Sequence, residues 1–313
     1  MCYSLVPSGR WLIGSPDGVG TTNDFSRLDF ERLWNGRGRV TEVEGTITRS
    51  LISSNVAGRA LEAGAGNGRI TNVLHDSFKE YYALDATPSF LEEIKCSHDG
   101  TRLVKINGDL LKTPFRDNSF DTVIMIRVFN FLPNPELALR EFRRVLKPGG
   151  SLILSFYHTG SLAVMVDKFK AMGAGNGVAP IVERGKSRRV LCSQFLEFFY
   201  SRRYVNSMAS DAGLVVSGTR SCGLEDYAPF HSLPSTLLIN ASRLPNVLGL
   251  MPHSFVRMIK RATGPVAGNG TDEIMACPDC HHGVDLESIS SGKTDRCPGC
   301  GHSFEYRNGV MRV

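Results

Sequence analysis

Several common features are missing from this 313-residue chain, and each absence narrows what it can be. It has no uninterrupted run of about 18 apolar residues, so no membrane-spanning helix is expected. The opening ten residues, Met1 to Arg10, lack the apolar core of a secretory signal. A disulfide framework is missing too. Of eight cysteines, four cluster near the carboxyl end, while Cys2, Cys96, Cys192 and Cys222 are scattered, as expected of a chain kept in a reducing cytoplasm. The dinucleotide fingerprint G-x-G-x-x-G is also absent. Its third glycine would fall at position 69, which is Arg69, so a nicotinamide dinucleotide is disfavoured.

What is present is a composition suited to one sizeable α/β core plus a small module, 42% hydrophobic and 21% charged. The most informative stretch is Ala60-Leu-Glu-Ala-Gly-Ala-Gly-Asn-Gly68, an apolar strand ending in Glu62 and then glycine at 64, 66 and 68. Such a loop lets the chain turn sharply and approach a ligand, because glycine tolerates positive φ and has no Cβ. S-adenosylmethionine (SAM) is the leading ligand.

The context strengthens that reading. Glu80-Tyr-Tyr-Ala-Leu-Asp85 predicts a second strand ending in an acid, about 20 residues after Glu62, where an acid meets ribose hydroxyls in doubly wound nucleotide sites. Arg102 to Asp109 predicts a third strand with Asp109 at its exit, and Phe120 to Ile126 a fourth. A helix follows, with Asn134 as cap and Pro135 at its first position. It closes at Lys147-Pro-Gly-Gly150, and a fifth strand runs from Ser151 to Phe156.

In this order of motifs the chain resembles the class I SAM-dependent methyltransferases over roughly residues 25 to 241. Phe120-Asp121, Leu132-Pro-Asn-Pro135 and Arg143-Arg-Val-Leu-Lys-Pro-Gly-Gly150 look most like the quinone-biosynthesis type of domain. The resemblance implies an α/β, doubly wound, seven-stranded, mostly parallel sheet. It assigns Glu62 and the backbone of Gly64, Ala65, Gly66 and Gly68 to the methionine end of SAM. Asp85 and Ala86 would hold the ribose, and Asp109 and Leu110 the adenine. Arg127 and Val128 would line the methyl-transfer cleft. Tyr157 and His158, after the fifth strand, are the candidate catalytic groups, with His158 able to take a proton near neutral pH.

The rest of the first 263 residues is expected to complete this domain. Residues 24 to 53 predict one or two helices, with Phe30 or Trp34 able to cover the ligand. The closing antiparallel hairpin is expected from Gly213 to Arg220 and Ser235 to Ala241, leaving 157–192 as an insertion and candidate lid and 221–234 as a long loop. Gly173 to Gly177 reads as a hinge and Gly14 to Gly20 as an irregular loop. Leu244 to Arg261 reads as an amphipathic segment that packs on the domain or makes peripheral membrane contact.

After a linker at 264–270, residues 271 to 313 carry the second strong signal. Cys277-Pro-Asp-Cys280 and Cys297-Pro-Gly-Cys300 form C-x2-C-x16-C-x2-C, the spacing of a structural zinc ribbon. Zinc would supply much of the folding free energy of so short a segment, on the order of 10 kcal/mol. His281, His282 and His302 lie beside the knuckles, but four cysteines already complete a tetrahedral set. The closing run from Cys297 to Val313 looks like the small zinc-ribbon activator subunit that partners several methyltransferases, here fused in cis.

Residues 265 to 313 carry four basic and seven acidic side chains, which leaves a net of +8 on the remainder. An acidic ribbon is a poor phosphate clamp, so it reads as a packing or protein-partner module. The basic run Arg184 to Arg189 has no interleaved aromatics, which weakens a nucleic-acid reading. The Asn-Pro-Pro-Tyr of adenine-amino and glutamine-amide methyltransferases is replaced by Ile126-Arg-Val-Phe-Asn-Phe131. The leading expectation is therefore methylation of a small molecule on O, N or C. The alternatives are an RNA or translation-protein methyltransferase that docks through the ribbon, and a non-catalytic SAM-binding scaffold.

Overall fold

The computed structural model describes residues 36–52, 58–95, 100–132, 134–161, 186–191, 195–223, 232–243, 251–261 and 274–313. Phe30, Trp34, the loop at 14–20, the proposed hinge at 173–177 and the linker at 264–270 lie outside them.

Helix α1 (Gly38–Leu51) is followed by the strand β1 (Arg59–Ala63), the short helix α2 (Thr71–Leu74), β2 (Glu80–Asp85), α3 (Pro88–Glu93), β3 (Arg102–Asn107) and β4 (Phe120–Met125). Next come α4 (Pro135–Val145), β5 (Leu146–Tyr157), β6 (Lys186–Leu191), β7 (Phe195–Tyr200), α5 (Arg202–Asp211) and β8 (Leu214–Cys222). The chain ends with α6 (Ser235–Arg243), β9 (His253–Lys260), α7 (Leu286–Ser290), β10 (Glu305–Arg307) and β11 (Val310–Arg312).

Nine of these strands form one mixed sheet in the order β10-β11-β3-β2-β1-β4-β5-β9-β8, and β6 and β7 pair separately. The run β3-β2-β1-β4-β5 is parallel and reverses its order at β1, so β1 and β4 flank the switch point where doubly wound sheets bind ligands. β1 can be central because Ala60, Leu61 and Ala63 are apolar and fully buried, as a parallel strand covered on both faces requires. α4 begins with Pro135, carries Glu136 in its first turn and Arg143 and Arg144 in its last, which suits the helix dipole. It buries Ala138, Leu139, Phe142 and Val145 against the sheet.

Three expectations are corrected. The sheet has nine strands where seven were expected, because β10 and β11 of the cysteine-bearing segment extend it. β11 lies parallel to β3, with Met311 opposite Ile106, which leaves β3 no free edge. Second, Ser235 to Ala241 lies in helix α6 and is not a strand. A short apolar run cannot be assigned by pattern alone, and here Leu238 and Ser242, four apart, are buried on one helical face, while Ser235 Oγ donates to Glu42 of α1 at 2.8 Å. Third, His253–Lys260, expected inside an amphipathic segment, is strand β9, antiparallel to both β5 and β8. Its burial on both faces, not membrane contact, accounts for its apolar residues.

The largest core cluster runs without a break from the central strands into the carboxyl segment, joining Phe115, Phe120 and Ile106 to Ile274, Met275, Phe304 and Met311. Phe115 and Phe120 meet edge to face at 4.7 Å, a favoured aromatic geometry. Backbone bonds continue the joint: Arg116 N–H donates to the Ile274 carbonyl at 2.8 Å and Ala276 N–H to the Pro114 carbonyl at 3.0 Å.

Candidate functional site

The exits of β1, β2 and β3 stand side by side at one edge of the parallel strands. Gly64, Gly66 and Gly68 have φ of +84°, +54° and +88°, the left-handed region that side chains avoid. A Cβ at Gly64 would strike the Val128 side chain, and one at Gly68 would come within 2.9 Å of Ile94. The absent side chains therefore both permit the turn and let Val128 and Ile94 pack directly against the loop.

The loop's amides are used within the protein. Gly64 and Ala65 N–H donate to the Leu84 carbonyl at 2.8 and 3.0 Å, Gly66 N–H to Asp85 Oδ2 at 2.8 Å, and Gly68 N–H to the Ala65 carbonyl at 3.1 Å. A loop whose donors are already engaged is a poor cradle for a pyrophosphate, which needs N–H groups. It suits a cationic ligand better.

Asp85 ties the glycine loop to β2. Its carboxylate accepts from Gly66 N–H on one oxygen and from Thr87 N–H on the other, both at 2.8 Å. Burial pushes its pKa up, and the main-chain donors oppose that shift. Ala86 beside it is exposed. Asp85 also anchors β3, since its carbonyl accepts from Gly108 N–H and from Asn107 Nδ2, each at 3.1 Å. Asp109 is exposed and accepts from Leu111 N–H at 2.8 Å, a local turn that shapes the loop with Leu110 partly buried within it.

Glu62 is buried beneath the loop. Thr71 Oγ1 and Tyr81 OH donate to its Oε2 at 2.6 and 2.9 Å. Desolvation raises its pKa to about 7, against the lowering effect of those two hydrogen bonds. Both bonds fall on one oxygen, leaving Oε1 as the one a ligand could use.

On the other side of the switch point, Arg127 follows β4 with φ +63°. Ser155 Oγ accepts its backbone N–H at 2.9 Å, Glu44 Oε1 accepts from its Nε at 2.6 Å, and the Tyr157 hydroxyl accepts from Nη1 at 3.0 Å. Tyr157 is 7% exposed, its ring between Phe199 at 5.4 Å and His253 at 4.0 Å. His158 lies one residue further on, in a bridge with Tyr200. Burial, and then the charge of Arg202, push its pKa down to about 4, so the imidazole is neutral at pH 7 and a weak proton acceptor there.

Sequence reasoning missed Glu44 and Arg69. Arg69 Nη1 stands 2.8 Å from Glu44 Oε2, so one fully buried carboxylate holds two guanidinium groups. A signal was present: Val40, Val43, Ile47 and Leu51 mark the buried stripe of α1, and Glu44 falls on it. A charge on a buried helical face calls for a partner.

A second constellation lies at the far edge of the sheet. Among the described residues, Cys277, Cys280, Cys297 and Cys300 place their Sγ atoms within 4.8 Å of one another, with Cys277–Cys300 and Cys280–Cys297 each at 3.5 Å. Tetrahedral zinc with 2.3 Å bonds to sulfur needs sulfurs roughly 3.8 Å apart, so the set fits that ion. The two halves repeat one geometry. Cys277 N–H donates to the His282 carbonyl and Cys297 N–H to the His302 carbonyl, and the residue after each second cysteine, His281 or Gly301, has φ near +58° or +77°.

With this geometry in view, comparison with known proteins is informative. Residues 61–154 match the methyltransferase domain family. The chain carries a methyltransferase domain. That domain spans β1 through β5, the strands whose exits carry these residues. Over 96 residues it is 33% identical to an uncharacterized methyltransferase of Mycobacterium tuberculosis, covering 31% of this chain and 38% of the relative. Over 149 residues it is 29% identical to demethylmenaquinone methyltransferase of Mycolicibacterium paratuberculosis, covering 48% of this chain and 59% of the relative. The matches thus span only part of these relatives' lengths.

Two solved structures share the fold. A SAM-dependent methyltransferase from Thermotoga maritima superposes with a TM-score of 0.51 at 21% identity, over 76% of this chain and 98% of that one. A chain from the Haloferax volcanii complex of the Trm112 methyltransferase activator with a methyltransferase gives 0.50 at 18% identity, again over 76% and 98%. The fold is that of the SAM-dependent methyltransferases. Among the described residues no helix is long and apolar enough to cross a membrane.

Proposed function

We propose that this protein transfers a methyl group from SAM to a small-molecule acceptor carrying an O, N or C nucleophile. The observation that supports this best is the junction of the glycine loop with Asp85, where a sharp turn at positive φ is tied by Gly66 N–H to a half-buried carboxylate beside the sheet's switch point. Asp85 and Ala86 would meet the ribose hydroxyls, Asp109 and Leu110 the adenine, and Glu62 Oε1 with the loop carbonyls at Gly64, Ala65, Gly66 and Gly68 the methionine ammonium. SAM, when bound, supplies an activated methyl on a cationic sulfur. The protein's part is then to orient the acceptor and exclude water, and orientation alone can contribute about 7 to 11 kcal/mol. Arg127 and Tyr157 would border the acceptor. With the pKa of His158 pushed down to about 4, the reading assigns it no proton transfer at pH 7.

The four-cysteine set holds zinc in this reading, as a structural ion with all four positions filled by protein. The segment forms a ribbon of the activator type, joined in cis to the domain it supports, and protein partners would meet its outer face.

Incubation with methyl-labelled SAM and separate metabolite, RNA and protein fractions tests the proposal. Label in the metabolite fraction supports it. Label confined to RNA or protein would move the acceptor class to the alternative reading, and tight SAM binding without transfer to any fraction would leave a scaffold.

A further inference from the structure

The geometry points to Glu44 of α1 as a positioning residue that locks the cofactor loop and the acceptor loop to each other. It rests on the methyltransferase reading for its functional consequence, but the lock itself is a property of the free chain.

Glu44 is fully buried, and its two carboxylate oxygens serve two different loops. Oε2 holds Arg69, the residue directly after Gly68, at 2.8 Å. Oε1 holds Arg127, the residue leaving β4, at 2.6 Å. Arg127 in turn reaches the Tyr157 hydroxyl at 3.0 Å, so one carboxylate links the exits of β1, β4 and β5. These exits flank the switch point of the sheet, with the proposed cofactor on one side and the acceptor on the other.

Three features show that the arrangement is built and not incidental. α1 is seated hard against α2: a Cβ at Gly45 would stand 2.5 Å from Val73, so the helix can approach this closely only with glycine there. Arg127 sits in the left-handed region, an unfavourable conformation for a long side chain, and Ser155 fixes it by accepting its N–H at 2.9 Å. Finally, a buried carboxylate with two guanidinium groups is poor stabilising material, because desolvation offsets most of the attraction. What such a cluster does provide is a single permitted geometry. A methyl transfer needs the donor carbon and acceptor atom in line, and a displacement of about 1 Å can reduce the rate about 100-fold.

The substitution that separates this role from packing is Glu44→Gln. Glutamine keeps the volume, but it presents an acceptor to one arginine while its NH2 faces the other donor to donor. Hydrogen exchange on the full chain, without any ligand, is the first readout. Opening of the lock is expected to speed amide exchange at least about 10-fold in both 64–72 and 126–132, with the strands at 80–85 and 102–107 unchanged. Exchange that rises only within α1, or equally throughout the chain, would overturn the proposal. Should Glu44→Gln fail to fold, Glu44→Asp keeps the charge and is one methylene too short to bridge both loops. It is expected to loosen one of the two segments, and unchanged exchange in both would count against the lock.

The second readout is kinetic. In Glu44→Gln, kcat for methyl transfer is expected to fall about 100-fold while SAM affinity by calorimetry falls far less. Equal losses in both would mean that Glu44 merely shapes the cofactor site. If the unaltered protein binds no SAM, the methyltransferase reading fails, while the exchange result still judges the lock.

Discussion

The centre of the sheet and its β11 side turn the chain back in opposite ways. At the β1/β4 switch point the reversal is held by protein alone. Glycines at positive φ, amides already engaged within the loop, the buried carboxylates of Glu44 and Glu62 and the half-buried Asp85 leave little freedom. On the β11 side each reversal is a Cys-Pro-x-Cys knuckle, and the four sulfurs converge within 4.8 Å of one another. The first site is organised by folding; the second, in the proposed reading, would complete its folding on binding zinc. Because β11 is paired with β3, and Met311 and Phe304 belong to the same core as Phe115, the carboxyl segment is braced by the central sheet.

Metal removal should therefore give the largest effect. Chelation of zinc, or Cys277→Ser, is expected to unfold residues 274–313, against a metal contribution on the order of 10 kcal/mol. Metal content and thermal melting measure it, and a zinc-free chain with unaltered melting would erase the contrast between the two regions.

Next is Gly64→Ala. The new Cβ meets Val128 at a position already at φ +84°. A loss of about 1 to 3 kcal/mol in stability is expected, together with weaker SAM binding. Denaturant unfolding that shows no loss would mean the loop relaxes freely.

Asp85→Asn should weaken SAM about 10-fold or more while retaining the fold, since hydrogen bonds to a charged acceptor contribute about 1.5 to 3 kcal/mol. Calorimetry decides it, and unchanged affinity would remove Asp85 from the ribose.

Glu62 gives the fourth prediction. Burial raises its pKa to about 7. A carboxyl raised in the folded state favours folding below its unfolded pKa near 4.5, and that contribution is lost as pH rises through about 7. SAM's ammonium prefers the ionised form, so its affinity should rise between pH 6 and 8 as this stability contribution falls. Glu62→Gln should flatten both trends; a persistent pH dependence of binding in that variant would place the titrating group elsewhere.

The smallest effect belongs to the exposed Lys112–Asp279 pair at 2.6 Å, which joins the loop after β3 to the first cysteine knuckle. Lys112→Ala is expected to leave melting unchanged, because solvent screens such pairs. A clear loss would show that the brace between the domain and the carboxyl segment is electrostatic and not apolar.

Much of this was legible in the residues. The order of strands β1 to β5, the glycine loop, the acid closing β2 and the four-cysteine spacing each depend on local rules: where a chain can turn, where a strand is buried on both faces, where thiolates can converge. The sequence could not decide that Ser235–Arg243 is helical and that His253–Lys260 fills the place between β5 and β8. Both are short apolar runs, and only their neighbours distinguish a helix from a strand. Nor could it bring Glu44 to Arg69 and Arg127, 25 and 83 residues away in the chain, or set β11 against β3. Local spacing thus determined which residues could serve a ligand or a metal. Which of them meet was left to packing, since a buried charge or an unpaired strand edge is satisfied only by whatever the completed fold brings beside it.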